Sequence, residues 1–315
     1  GVKALANGHY VVLSRYWANA GAPYAGAATW GDGTRGIAGP VSSANSLVGS
    51  AANSFVGYAA TALSNGNYVV HNYYWPNGSA LMAGAATWGD GTQGITGAVS
   101  PANSLVGTSA SNYVGYSVAE LANGNYVVGS PWWDDGVTLE AGAATWCSGA
   151  RGMTGAVSAA NSLVGGAAEC YVGDGVTALA NGHYVVSSPY WGNGAVLDAG
   201  AATWGDGAQG VTGAVSAANS LVGSAAGGSV GEAVMALQNG HYVVLSRHWT
   251  DGVTADIGAA TWQNGTGGMA GAVSAANSLV GSAANDNVGA DGVELPNGNY
   301  VVVSTNWDNG PIADA

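Results

Sequence analysis

The alternation of apolar and polar positions along this chain predicts short β-strands separated by tight turns, in a pattern that restarts every 58 residues. In the fourth unit, Val176 to Leu179 alternates with small or polar residues and reaches Asn181-Gly182, after which His183 to Ser187 continues as a second extended segment. Asn-Gly between such flanks is a strong hairpin signal, because both residues tolerate the positive φ of a type I′ turn. Pro189 and Tyr190 to Gly194 then read as a loop, Ala199 to Trp204 as a third strand and Gly205-Asp206-Gly207 as another turn. Val211 to Val215 and Ser220 to Gly223 supply two more short extended pieces before Val230-Gly231 restarts the cycle. Glycine recurs too often for a long helix.

The repetition is strict. The phrase Asn-Gly-(His/Asn)-Tyr-Val-Val starts at Asn7, Asn65, Asn123, Asn181, Asn239 and Asn297. Gly-Ala-Ala-Thr-Trp follows at Gly26, Gly84, Gly142, Gly200 and Gly258, and Asn-Ser-Leu-Val-Gly at Asn45, Asn103, Asn161, Asn219 and Asn277. One repeat domain over residues 1–315 is expected, with five full 58-residue repeats plus a 25-residue partial repeat over 291–315, or a window of a longer array. Four short strands in a unit of this size match a four-stranded blade, so the expected fold is an all-β, propeller-like array. A β-solenoid is the alternative. Its coils commonly use about 20 to 30 residues, so each unit would need two different coils.

The phrase from Val114 to Ala119, through Leu121 to Pro131, to Gly142–Trp146 resembles the FG-GAP repeat of integrin-type β-propellers, and the likeness recurs in every unit. It is also similar to tandem repeats of large bacterial surface and haemagglutinin-like proteins. The resemblance implies an outer strand at Val118 to Leu121, a loop at Gly129 to Pro131 and a strand at Gly142 to Trp146. Many blades of that family bind calcium through a carboxylate-rich loop, but Leu121 to Tyr126 carries no carboxylate here. Calcium, which prefers several anionic oxygens, is not expected there.

Composition narrows the functions further. Five Lys plus Arg against eighteen Asp plus Glu give a formal charge of -13, which opposes binding to nucleic acid or anionic lipid. No 18-residue apolar run suits membrane insertion. Only 7% of residues are charged, which points to a secreted or cell-surface setting. Cys147 takes a slot otherwise held by Gly31, Gly89, Gly205 and Gln263, and Cys170 one held by Ser54, Asn112, Gly228 and Asp286. Paired replacement in one repeat suggests a disulfide, and with it an oxidising compartment.

Candidate chemistry is sparse. His9, His183 and His241 share a slot with Asn67, Asn125 and Asn299, which reads as a hydrogen-bonding turn position. No nucleophile elbow, metal-ligand spacing or cofactor motif stands out, so no catalytic residue, metal or cofactor is assigned. The unvarying Asn45, Asn103, Asn161, Asn219 and Asn277 read as structural ties to backbone groups. Aromatic residues carry the one binding signal: Tyr16-Trp17, Tyr74-Trp75, Trp132-Trp133, Tyr190-Trp191 and His248-Trp249 lie in loops, where rings can stack on sugars. The competing reading makes each repeated Trp a lid on its neighbour. The function expected first is a non-enzymatic structural or adhesive repeat protein. It would self-associate into filaments through its terminal partial repeat, whose uncapped sheet edge is a template for another chain. A carbohydrate-binding, lectin-like propeller is the alternative.

Overall fold

In the computed structural model, which describes residues 1–308, 310 and 312, each repeat builds a small antiparallel meander and then reaches back to its predecessor. In the first repeat β1 (Val2–Ala4), β2 (Tyr10–Ser14), β3 (Ala27–Gly31) and β4 (Leu47–Val48) pair in that order, with Ala27 opposite Val48. The second repeat opens with β5 (Ala59–Ala62), β6 (Tyr68–Asn72) and β7 (Ala85–Gly89). Before completing its own sheet it lays β8 (Gly97–Ala98) parallel to β4 of the first. The donation recurs as Gly155–Ala156 on Leu105–Val106, Gly213–Ala214 on Leu163–Val164, and Gly271–Ala272 on Leu221–Val222. Each of the first four sheets is thus stitched to the next repeat through backbone hydrogen bonds. The Gly97 N–H donates to the carbonyls of Ser43 and Ser46, both at 3.0 Å, and Val99 N to Val48 O at 3.1 Å.

The hairpin differs from its expected form. Of Asn181-Gly182 only Gly182 has positive φ, at 90°, and its N–H donates to Leu179 O at 3.0 Å. This is a type I turn with a left-handed glycine after it, rather than type I′. Asn181 is thereby free to point its side chain at the following repeat, where its Nδ2 donates to Gly265 O at 2.8 Å. The indole Nε1 of Trp204 donates to the same carbonyl at 3.0 Å. Asn7 with Trp30, Asn65 with Trp88, and Asn123 with Trp146 do the same to Gly91, Gly149 and Gly207.

The core lies between successive sheets. Tyr68 of the second repeat packs with Val11, Ala28 and Leu47 of the first, and Tyr126, Tyr184 and Tyr242 repeat this fully buried position. Burial pushes the Tyr68 phenol up to about 12, and its oxygen accepts the Ile95 N–H at 3.2 Å. Small residues permit the close approach. A Cβ on Gly94 of the second repeat, whose φ is 77°, would lie 2.5 Å from the Trp30 Cβ of the first.

Two expectations fail here. Strand pairing and hydrogen bonding join neighbouring repeats, and among the described residues neither joins the first repeat to the last. The fold is not a propeller. It is an open, solenoid-like stack of four- and five-stranded sheets, because each unit gives a strand to its predecessor instead of keeping a complete blade. The unit is long because it is a whole sheet, not one coil. The disulfide is also absent: Cys147 and Cys170 are both free and buried. Cys147 packs with Tyr126 and Val128 against the second repeat, whereas Cys170 packs with Val127 and Leu163 against the fourth. The sheet of the third repeat stands between them. Burial pushes the Cys147 thiol up to about 12, which leaves it unreactive at neutral pH.

The partial repeat forms a hairpin of Asp291–Glu294 with Tyr300–Val303. Residues 309, 311 and 313–315 of the expected 291–315 unit lie outside the described residues. No described helix is long and apolar enough to cross a membrane.

Candidate functional site

The loop pairs proposed from the sequence separate into buried and exposed members. Trp75, Trp133 and Trp191 are each 5% exposed and Trp249 4%, so these indoles are lids. Their carbonyls accept the N–H of Gly84, Gly142, Gly200 and Gly258 at 2.9–3.0 Å, which closes each loop onto the next strand. Trp17 is half-buried, and Trp307 is 39% exposed. The residue before each Trp faces outward. Tyr16 is 61% and Tyr190 51% exposed, with Tyr74 and Trp132 half-buried.

These outward rings do not stand alone. Tyr16 meets Tyr24 at 5.9 Å and Phe55 at 6.4 Å between centroids, and Tyr24 stacks on Phe55 at 6.0 Å with 13° between planes. Phe55 touches Tyr74 at 5.7 Å, and Tyr74 touches Tyr73 at 4.3 Å and Tyr58 at 5.4 Å. Tyr73 continues to Tyr113 and Tyr116 at 6.2 and 5.6 Å, and both reach Trp132 at 5.7 and 4.5 Å. One unbroken chain of rings therefore crosses the first three repeats. Shallow grooves run along it, including one of about 570 Å³ bordered by Arg15, Tyr16 and Tyr58 and one of about 470 Å³ bordered by Tyr73, Tyr113 and Trp132. Tyr73 donates its hydroxyl to Tyr58 at 2.9 Å; desolvation and its bonds to neighbouring phenols keep it protonated far above neutral pH.

A pair of left-handed turns aims these side chains. Tyr24 and Phe55 have φ of 54° and 49°, and Phe55 N donates to Tyr24 O at 2.9 Å. Ser229 and Asn287 adopt the same left-handed form in later repeats, with φ of 42° and 47°. The turn thus belongs to the scaffold, and the aromatic residues are added upon it. Sequence inspection missed Phe55, Tyr58, Tyr113 and Tyr116 because they lie far from the loop Trp residues along the chain, and it missed Tyr24 and Tyr73 because only the residue directly before each Trp was considered. Aligning the repeats in columns would have found them, since Phe55, Tyr113 and Tyr171 share one column and Tyr58 and Tyr116 another.

Beyond Trp132 the same columns turn polar. Tyr171 still meets Tyr190 at 5.8 Å, but Asp174 and Glu232 replace Tyr58 and Tyr116, and Asp198 and Asp256 replace Tyr24. His248 is held in a polar chain rather than a stack. Arg247 Nε donates to its Nε2 at 3.1 Å, so Nδ1 carries the proton and donates to Asp256 at 3.2 Å. Arg247 in turn pairs with Glu232 at 2.8 Å.

The remaining candidates sit in the scaffold. His9, His183 and His241 accept the N–H of Gly33, Gly207 and Gly265 on Nδ1 at 3.0–3.1 Å, and each ring packs on a Trp at 4.8–5.1 Å. Asn67 and Asn125 supply the same acceptor through Oδ1. Asn45 accepts the Ser42 N–H at 2.9 Å and donates to Pro40 O at 3.0 Å; Asn103, Asn161, Asn219 and Asn277 repeat that pattern. Among the described residues no three His, Cys, Asp or Glu gather as a metal site.

A family model described as a repeat of unknown function (DUF5650) matches residues 4–58, 62–116, 120–174, 178–232, 236–290 and 294–315. The chain belongs to this family. The DUF5650 matches recur along the array in register with the 58-residue units, and they do not support the FG-GAP identity that the sequence resemblance implied. No curated protein matches the chain.

Proposed function

We propose that this DUF5650 array is a non-catalytic carbohydrate-binding protein whose first three repeats carry a stacking platform for an extended glycan. The observation that supports this reading is the continuous ring chain from Tyr16 to Trp132, edged by hydroxyls and shallow grooves. Sugar rings present apolar C–H faces to aromatic planes and hydroxyls to flanking polar groups, so an open row of rings suits a chain of sugars better than one small enclosed ligand. A secreted or cell-surface setting accords with that ligand and with the low charged fraction. Titration with neutral oligosaccharides tests the reading. Tyr74→Ala with Trp132→Ala should weaken binding at least tenfold without lowering the thermal midpoint, and wild-type protein that binds no oligosaccharide would overturn the proposal.

A further inference from the structure

Within the platform, the groove between Tyr73, Tyr113, Tyr116 and Trp132 differs from the rest by one carboxylate, that of Glu140. Two edge contacts and a tilted one shape it: Trp132 stands at 89° to Tyr116 and 75° to Tyr113, and Tyr73 is inclined 55° to Tyr116. π-faces and hydroxyls thus converge on a space of about 470 Å³. Glu140 Oε2 accepts the Tyr171 hydroxyl at 2.5 Å, which fixes the carboxylate at the rim and raises the Tyr171 phenol to about 12. Among the described residues, no Lys, Arg or His forms an ion pair with Glu140. Earlier repeats hold Tyr24 and Met82 in its column and later ones Asp198 and Asp256, so within the ring platform of the first three repeats this column supplies a carboxylate only in the third.

We propose that this groove binds an organic ammonium group, and that the glycan recognised by the platform carries free amino sugars. The inference rests on the glycan reading above. Ring faces attract cations, by about 0.5–2 kcal/mol depending on desolvation, and a carboxylate beside them adds a charge-assisted hydrogen bond. A neutral sugar can use the rings and donate a hydroxyl to the carboxylate, but it brings no positive charge to offset that of Glu140. An anionic sugar is repelled both by Glu140 and by a chain of net charge -13. Rings of the same platform already accept a cation within the protein, since the Arg15 guanidinium lies 4.7 Å from the Tyr16 centroid and 5.5 Å from that of Tyr58.

The test is calorimetric titration of the full chain with a glucosamine hexamer, its fully N-acetylated counterpart, a glucose hexamer and choline chloride. The glucosamine hexamer should bind at least tenfold more tightly than the acetylated one. Glu140→Gln, a neutral isostere, should abolish that preference, with a smaller effect on the glucose hexamer than on the glucosamine hexamer. Competition by choline would assign the groove to ammonium groups in general. Preference for glucosamine without such competition would assign it to amines presented on a sugar. Equal affinity for the two hexosamine chains, or a preference surviving Glu140→Gln, overturns the ammonium site while neutral binding still upholds the platform. Glu140-dependent choline binding with no oligosaccharide bound would instead sink the glycan reading and keep the ammonium site.

Discussion

Repeats one to three and repeats four to five have the same skeleton and different outer faces. Both halves bury the same Tyr, donate the same Gly-Ala strand and form the same left-handed turns. At the columns those turns project outward, repeats one to three carry Tyr24, Phe55, Tyr58, Tyr113, Tyr116 and Tyr171, whereas repeats four and five carry Asp198, Ser229, Glu232, Asp256 and Asn287. The contrast separates two kinds of constraint. Interior positions answer to a neighbour with the same sequence and therefore repeat, while outward positions answer to solvent or ligand and are free to diverge.

The adjacent pair Trp132-Trp133 gives the sharpest way to break that comparison. Trp133→Ala empties a buried lid and should cost about 3–5 kcal/mol in urea unfolding. Trp132→Ala should change stability little and weaken glycan binding roughly tenfold, about 1.4 kcal/mol. If both variants lost stability equally, the division into lid and platform would fail. Asn123→Ala removes the donor to Gly207 O, with an expected loss of about 1 kcal/mol, and hydrogen exchange should localise the loosening to the junction of the third and fourth repeats. Ser229→Tyr asks whether the second half can be converted. The equivalent turn already holds Phe55, Tyr113 and Tyr171 at φ of 49°, 47° and 46°, so the ring should be accepted, adding an aromatic face to the second half and raising affinity for long oligosaccharides a few-fold.

The smallest effect is expected from pH. His71 is half-buried, with Nδ1 on Gly115 O at 3.0 Å, and desolvation lowers its pKa below 6.5. A group whose folded pKa is depressed stabilises the fold above its unfolded pKa and loses that contribution as pH falls through the folded one. Stability should therefore decline gently as pH drops below about 6.5. Leu245 fills this column in the fifth repeat, so His71→Leu should remove the slope. A slope unchanged in that variant would assign the effect elsewhere.

Much of the scaffold was legible because its signals are local. The Asn-Gly turns, the Tyr-Val-Val and Ala-Ala-Thr-Trp strands and the absence of helices follow from alternation and glycine placement within a few residues. The Asn-Gly hairpin was located correctly but typed wrongly, because the conformation of Asn181 serves a bond to Gly265 in the next repeat. Of the glycan candidates, the loop Trp residues proved to be mostly lids. Phe55, Tyr58, Tyr113 and Tyr116 of the platform lie on turns far from those loops along the chain.

By itself the sequence determined that the chain is an all-β array of 58-residue units, since strict periodicity admits few other packings. Tertiary structure alone decided that the array stays open, that Cys147 and Cys170 lie on opposite faces of one sheet, and that rings from five columns meet. The physical reason is the same in each case. Parallel pairing of Gly97–Ala98 with Leu47–Val48 joins dipeptides about 50 residues apart, and their composition alone does not announce the match.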